Sequence, residues 1–335
     1  MAEQNCSGVD FTPPDFRPSR WFPGGHLQTL GSLRAPPTDL AADRKHTVDL
    51  PDGDAIVLHE NEPANGPANH SGRSLVLFHG LSGCHGSPYM IRFAERFRHL
   101  GFRVFRVDMR GCGDARDLCD GIAHAGRSND VRAAMSFVAD LAGGEDLNAI
   151  GVSLGGNQLL RFCGRVGGGL DERPSWWGRA KRVAAVAPPI DLVRCSRNMN
   201  RKVRRLYNRY FIRALLRRAP RRVQDRAEFK RVVDSVIPRT LYELDDRLTA
   251  PLSGFSGADE YYTDSGACSV VKHINLPTLV LAAANDPIVP ASCFDREDWS
   301  DVTKVVVKRS GGHAGFIGTG RTHWMDECME SWINC

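Results

Sequence analysis

The sequence predicts an α/β fold: a mostly parallel central sheet with helices on both faces and an inserted helical cap. Three observations predict it. From residue 74 to residue 187, short apolar runs of strand length alternate with helix-like stretches, the pattern of a sheet buried on both faces. Over residues 190–256 the alternation breaks into Arg-rich sequence. It then resumes with PTLVLAA at 277–283 and TKVVV at 303–307.

Composition bounds the rest. The chain has 335 residues, 42% hydrophobic and 25% charged, which excludes a disordered or fibrous protein. No run approaches the roughly 18 apolar residues of a membrane-spanning helix. The first residues lack a basic start followed by an apolar stretch, so a soluble, cytoplasmic protein is expected. Ten cysteines include no C-x-x-C pair, so zinc-site spacing is absent and free thiols are expected. No metal or organic cofactor is called for.

Taken in order, residues 1–45 form a Pro-rich, irregular N-terminal arm, whose segment Gly25-His26-Leu27-Gln28-Thr29 follows Trp21 and Phe22. One reading puts His26 and Gln28 at a pocket mouth. The preferred one packs the arm across the domain with Trp21 and Phe22 as anchors. The core comprises residues 46–189 and 257–335. It begins with a hairpin over 46–60 turning at Pro51-Asp52-Gly53-Asp54, followed by a polar loop at 61–73. Strands follow at 74–78, 103–107, 147–152 and 183–187, with helices at 89–100 and 129–141, a helix starting at 155–164, and a closing amphipathic helix at 323–333.

The sharpest motif is Gly151-Val152-Ser153-Leu154-Gly155. It matches G-x-S-x-G, lies directly after a strand and opens a helix, the context of a nucleophile held on a tight strand-to-helix turn. A serine needs a base and the base needs an orienting acid. Asp286 follows the strand at 277–283, and His313 follows the strand at 303–307. Both therefore fall in loops at the carboxyl edge of the sheet, in the order serine, acid, histidine. His313 would take the proton from Ser153, and Asp286 would fix the imidazole tautomer. Asp108 and Asp264 are the runner-up acids, and Asp108 breaks that order. Two backbone N–H groups should face the developing oxyanion: Leu154, after the nucleophile, and Leu81, in His79-Gly80-Leu81 after the strand at 74–78. His79 would brace that loop. Cys84 and Cys112 fall near the expected pocket; one reading makes either a reactive thiol, and the preferred one makes them small core residues, as free cysteines most often are.

These residues, with Gly25-His26-Leu27-Gln28-Thr29, Arg110-Gly111-Cys112-Gly113, Ser153-Leu154-Gly155-Gly156-Asn157, Thr249-Ala250-Pro251-Leu252, Gly254-Phe255, Tyr261-Tyr262, Asp286-Pro287 and Gly312-His313-Ala314-Gly315-Phe316, resemble the YheT-like branch of the α/β-hydrolase superfamily, from about residue 21 to 316. The resemblance implies an α/β-hydrolase fold and a serine hydrolase with Ser153, Asp286 and His313 as its triad. It also implies carboxylesterase or lipase activity on medium-chain esters or phospholipids. Two departures stand out. The family's Tyr-His-Ser-Gly is Ala123-His124-Ala125-Gly126 here, and Ser82 replaces an acidic residue or threonine.

Residues 197–231 hold fourteen Lys/Arg against two acids in a chain of net charge +5. Val203, Leu206, Tyr207, Tyr210, Phe211, Ala214 and Leu215 recur there at helical spacing, opposite Arg204, Arg205, Arg209, Arg213 and Arg217. The first reading is a cap helix with its apolar face over the active site and its arginines solvated. The second is a surface that meets anionic lipid. Nucleic-acid binding has no motif in its favour. The expected function is hydrolysis of carboxylic esters, short- to medium-chain or lipid-like, through an acyl-enzyme. The alternatives are an acyltransferase using the same triad, or a non-catalytic or lipid-surface-binding protein on this scaffold.

Overall fold

A computed structural model describes residues 10–33, 39–64, 66, 70–296 and 298–335. Cys6, the rest of 1–9 and residues 34–38 of the expected arm lie outside these, as do residues 65 and 67–69 of the polar loop. The strands are β1 (Arg44–Asp49), β2 (Ala55–Asn61), β3 (Arg73–Phe78), β4 (Arg103–Asp108), β5 (Asp146–Val152), β6 (Ala180–Val186), β7 (Thr278–Ala283) and β8 (Thr303–Lys308). They form one sheet in the order β1-β2-β4-β3-β5-β6-β7-β8. The β1–β2 and β2–β4 pairs are antiparallel, and every later pair is parallel.

Side-chain alternation explains the layers. Along β3, Val76 and Phe78 enter one core while Leu75 and Leu77 enter the other. The first core is closed by α3 (Ser128–Leu141) and α4 (Leu154–Gly167), through Val131, Met135, Leu159 and Phe162. The second is closed by α2 (Pro88–His99) and α12 (Trp324–Ile333), through Phe93, Phe97, Met325 and Trp332. Each such side chain contributes about 1.5–3 kcal/mol by leaving water. The chain runs from β3 outward to β4 and then returns to β5 on the other side of β3. This reversal opens a crevice at the carboxyl ends of β3 and β5, where open α/β sheets place their sites.

Two expectations need correction. The N-terminal arm is not wholly irregular, because Gly24–Ser32 forms helix α1. Its Gly-Gly start has poor helix propensity and no side-chain cap, so tertiary contacts hold it. Nor is Trp21 an anchor, being 78% exposed. The side chains buried in this region are instead Phe11 and the polar Ser19, Gln28, Thr29 and Ser32.

Between β6 and β7 the chain is helical: α5 (Leu192–Met199), α6 (Arg205–Arg218), α7 (Arg221–Gln224), α8 (Ala227–Val233), α9 (Leu241–Leu244), α10 (Ala250–Leu252) and α11 (Ala258–Ser265), with a π-helical turn at Asp245–Thr249. Its own core gathers Ile212, Val223, Phe229, Val232, Leu244 and Leu248. The apolar stripe predicted along α6 divides. Ala214 is buried, and Phe211 and Leu215 line a cavity. Val203, Leu206 and Tyr210 face solvent.

Candidate active site

Ser153 sits between β5 and α4 with φ +53° and ψ −118°, a conformation that L-residues hold only when their surroundings impose it. Close packing imposes it here. A Cβ on Gly155 would lie 2.7 Å from the carbonyl oxygens of Phe78 and His79, and one on Gly151 would lie 2.5 Å from the Gly155 oxygen. The glycines of the motif are therefore required by the tight approach of β5, α4 and the loop after β3.

The structure brings Ser153, His313 and Asp286 together. His313 Nε2 lies 2.9 Å from Ser153 Oγ, and His313 Nδ1 lies 2.9 Å from Asp286 Oδ2. Asp286 is itself fixed by the Ile288 and Val289 N–H groups, which donate to its Oδ1 at 2.7 and 3.0 Å. Its carboxylate is nearly buried, as an orienting acid should be. Of the runner-up acids, Asp264 is exposed on α11, and Asp108 accepts hydrogen bonds from His59 and His85 instead.

Leu81 and Leu154 line the same cavity as Ser153 and His313. Among the described residues, neither backbone N–H donates to a protein acceptor. The neighbouring Gly80 N–H is already engaged, donating to the Tyr89 hydroxyl at 2.7 Å. His79 lies beneath this loop. Its Nδ1 is 2.8 Å from the Gly80 carbonyl, and its Nε2 accepts from the Met109 N–H at 3.2 Å. Burial pushes its pKa down, favouring the neutral ring that these two contacts require.

The segment Gly25–Thr29 serves the histidine loop. Thr29 Oγ1 accepts from the His313 N–H at 2.8 Å and donates to the Gly25 carbonyl at 2.7 Å. Gln28, wholly buried, accepts from the Ile317 N–H and donates to the Phe22 and Ile317 carbonyls. Gly25 packs so closely that a Cβ there would meet the Asn285 carbonyl at 1.8 Å. Helix α1 thus grips the loops carrying both Asp286 and His313. Gln28 is not at the pocket mouth, while His26 reaches outward to Tyr207 and Arg204 on the basic segment.

The cavity holds about 360 Å³ and runs from Ser153 beneath the α5–α11 segment. Its wall is largely apolar, with Leu192, Met199, Leu215, Leu244, Leu248 and Val289 among the contributors. Ala123, where the resemblance leads one to expect tyrosine, also lines it. Ala125, at the expected serine, is buried and gives its N–H to the Tyr261 hydroxyl. Cys84 and Cys112 line the cavity too, but burial pushes both thiols up, Cys112 to about 12. A raised thiol pKa disfavours the nucleophilic thiolate.

His59, His85 and Asp108 place three potential metal-ligand atoms within 4.8 Å of one another. The two imidazoles, however, are stacked at 3.5 Å with 18° between their planes, so no one ion can lie in both ring planes. The arrangement fits a buried carboxylate served by hydrogen bonds. Burial alone would raise the Asp108 pKa, but the bonds from His59 and His85 hold it well below the usual range.

Sequence reasoning gave no role to Tyr89 or Asp245, and none to Thr29 beyond its place in the Gly25–Thr29 segment. Asp245 lines the cavity on the π-helical turn, where burial pushes its carboxyl up to about 6.

Comparison with known proteins agrees with this architecture. A family model described as "alpha/beta hydrolase fold" matches residues 73–318. The chain is 29% identical to "Putative esterase YheT" of Escherichia coli (strain K12), over 95% of this chain and 93% of that protein, in line with the branch its motifs resemble. It is 24% identical to "Phospholipase ABHD3" of Homo sapiens, over 99% of this chain and 80% of that one. Among solved structures, 2,6-dihydroxy-pseudo-oxynicotine hydrolase superposes with a TM-score of 0.56 at 16% identity, covering 92% of this chain and 71% of that chain. That likeness is one of fold.

Proposed function

The chain belongs to the alpha/beta hydrolase fold family, and we propose that within it the protein is a serine hydrolase acting on carboxylic esters through Ser153, His313 and Asp286. The observation that carries this reading is the continuous hydrogen-bonded line from Asp286 through His313 to Ser153 Oγ, opening on an apolar cavity. In the proposed reaction, His313 Nε2 takes the Ser153 proton as Oγ attacks the ester carbonyl. The N–H groups of Leu81 and Leu154 receive the oxyanion. The imidazolium, stabilised by Asp286, returns the proton to the departing alcohol, and water then releases the acid by the same steps. The α5–α11 segment, with the Arg-rich 190–256 stretch at its heart, acts as a cap that shapes an acyl pocket.

The test is hydrolysis of p-nitrophenyl esters of graded chain length by the wild type and Ser153→Ala. Turnover by the wild type alone supports the proposal, and the length profile measures the pocket. Product analysis with an added alcohol separates hydrolysis from acyl transfer. An acyl chain moved mainly to the alcohol, or turnover that survives Ser153→Ala, would count against it.

A second observation bears on where substrate is met. Val203 and Leu206 are 69% and 80% exposed beside the arginines of α6. Leu27 and Leu30 of α1 are also exposed, and α1 is tied to α6 by His26 Nδ1 and the Tyr207 hydroxyl at 2.9 Å. Apolar side chains among cations suit an anionic lipid surface. We place the protein in the cytoplasm, because the described cysteines are free thiols. No helix among the described residues is long and apolar enough to cross a membrane.

A further inference from the structure

We propose that Asp245 is a substrate-selecting group: it accepts a hydrogen bond from a hydroxyl or ammonium group that the ester carries at a distance from its carbonyl. This deepens the esterase reading and rests on it. Asp245 lines the same cavity as Ser153 and His313, in a wall that is otherwise mostly apolar. The residue is only partly covered, and that remaining surface belongs to a lining residue of the cavity.

Its known partners use only half of its capacity. Thr249 Oγ1 donates to Oδ1 at 2.6 Å, and the Tyr262 hydroxyl donates to Oδ2 at 2.6 Å. A carboxylate offers about four acceptor positions, so each oxygen keeps one free. Among the described residues no cation pairs with it. The two arginines of the cavity are engaged elsewhere, Arg116 with the Ala219 carbonyl and Arg218 with the Ser82 carbonyl. A carboxylate in a mostly apolar wall and without a counter-charge is costly to keep ionised, and its surroundings push its pKa up to about 6. It also stands on a π-helical turn, a distortion frequent at functional sites. A plain alkyl chain laid against it would bury a charge unsatisfied, whereas a donor-bearing chain would satisfy it. The wall thus rejects one class of ester and accepts another.

The experiment uses the Ser153→Ala protein, which binds esters without depending on turnover, so its outcome stays separate from that of the hydrolysis test. Calorimetry compares methyl octanoate with methyl 8-hydroxyoctanoate and methyl 8-aminooctanoate. A second set compares hexyl acetate with 6-hydroxyhexyl acetate, placing the donor on the alcohol side. The proposal expects at least tenfold tighter binding of a donor-bearing ester in one set, reduced to less than twofold by adding Asp245→Leu. Asp245→Asn keeps an acceptor oxygen but no charge, so it should retain the hydroxyl preference and lose the ammonium preference. It decides the matter should the Leu variant fail to fold. Equal or tighter binding of the plain alkyl esters in both sets, or a preference unchanged by both substitutions, overturns the proposal.

Discussion

Replacing Thr29 by Val tests whether the N-terminal helix is part of the machinery. The change keeps the side-chain shape but removes the hydroxyl, which lies 2.8 Å from the His313 N–H and 2.7 Å from the Gly25 carbonyl. A buried donor left without a partner costs about 1–3 kcal/mol. Thr29 is buried, and the Gly312 N–H is held separately by Asn285 Oδ1 at 3.0 Å, so the penalty falls on the His313 backbone itself. The loop relieves it by moving His313, and about 1–3 kcal/mol, if it falls wholly on the barrier, corresponds to roughly a 5- to 150-fold loss in rate. The assay is steady-state hydrolysis of the best p-nitrophenyl ester. The expected result is a fall in kcat of that size, KM within about threefold, and near-complete rescue by Thr29→Ser, which restores the oxygen. A Thr29→Val enzyme with kcat within twofold of wild type would refute the bracing role.

Tyr89→Phe leaves the Gly80 N–H unpaired beside Leu81. It should lower kcat by roughly 5- to 20-fold through a loosened oxyanion loop, with little change in KM. Asp245 has a folded pKa raised from 3.8 to about 6, so its contribution to stability is most favourable below about pH 4 and is lost as pH rises from about 4 to 6. The penalty above that window is about 3 kcal/mol at most. Thermal melts should therefore show Asp245→Asn more stable than wild type at pH 8 and no more stable at pH 4. Co-sedimentation with vesicles containing anionic lipid should weaken steeply with salt. It should also weaken when Leu206 and Tyr210 are changed to Ser together, while neutral vesicles bind little.

The elements most legible in the sequence were those governed by local pattern. Runs such as SLVLF and RVFRV carry the signature of buried strands, and Ser153, Asp286 and His313 each fall just after such a run. Helix α1 was not legible. Its Gly-Gly start argues against a helix, and its buried residues Gln28 and Thr29 are polar, so hydrophobicity pointed to Trp21 instead. What holds those polar groups is backbone from about residue 317 and the histidine loop, contacts nearly 290 positions away that no local spacing encodes. Asp245 was hidden for the opposite reason. In Glu243-Leu244-Asp245-Asp246 it looks like one solvated acid among three, yet Glu243 and Asp246 are exposed while Asp245 turns inward to Tyr262. On α6, periodicity found the apolar residues but could not say which would be covered.

The central claim is that Ser153 is a nucleophile made reactive by His313. Labelling with a fluorophosphonate, followed by peptide mass spectrometry, tests it most directly and needs no knowledge of the substrate. The account predicts a single adduct on the peptide containing Ser153, lost in Ser153→Ala and slowed at least 100-fold in His313→Ala. No adduct, or one that forms at the same rate without His313, would contradict it.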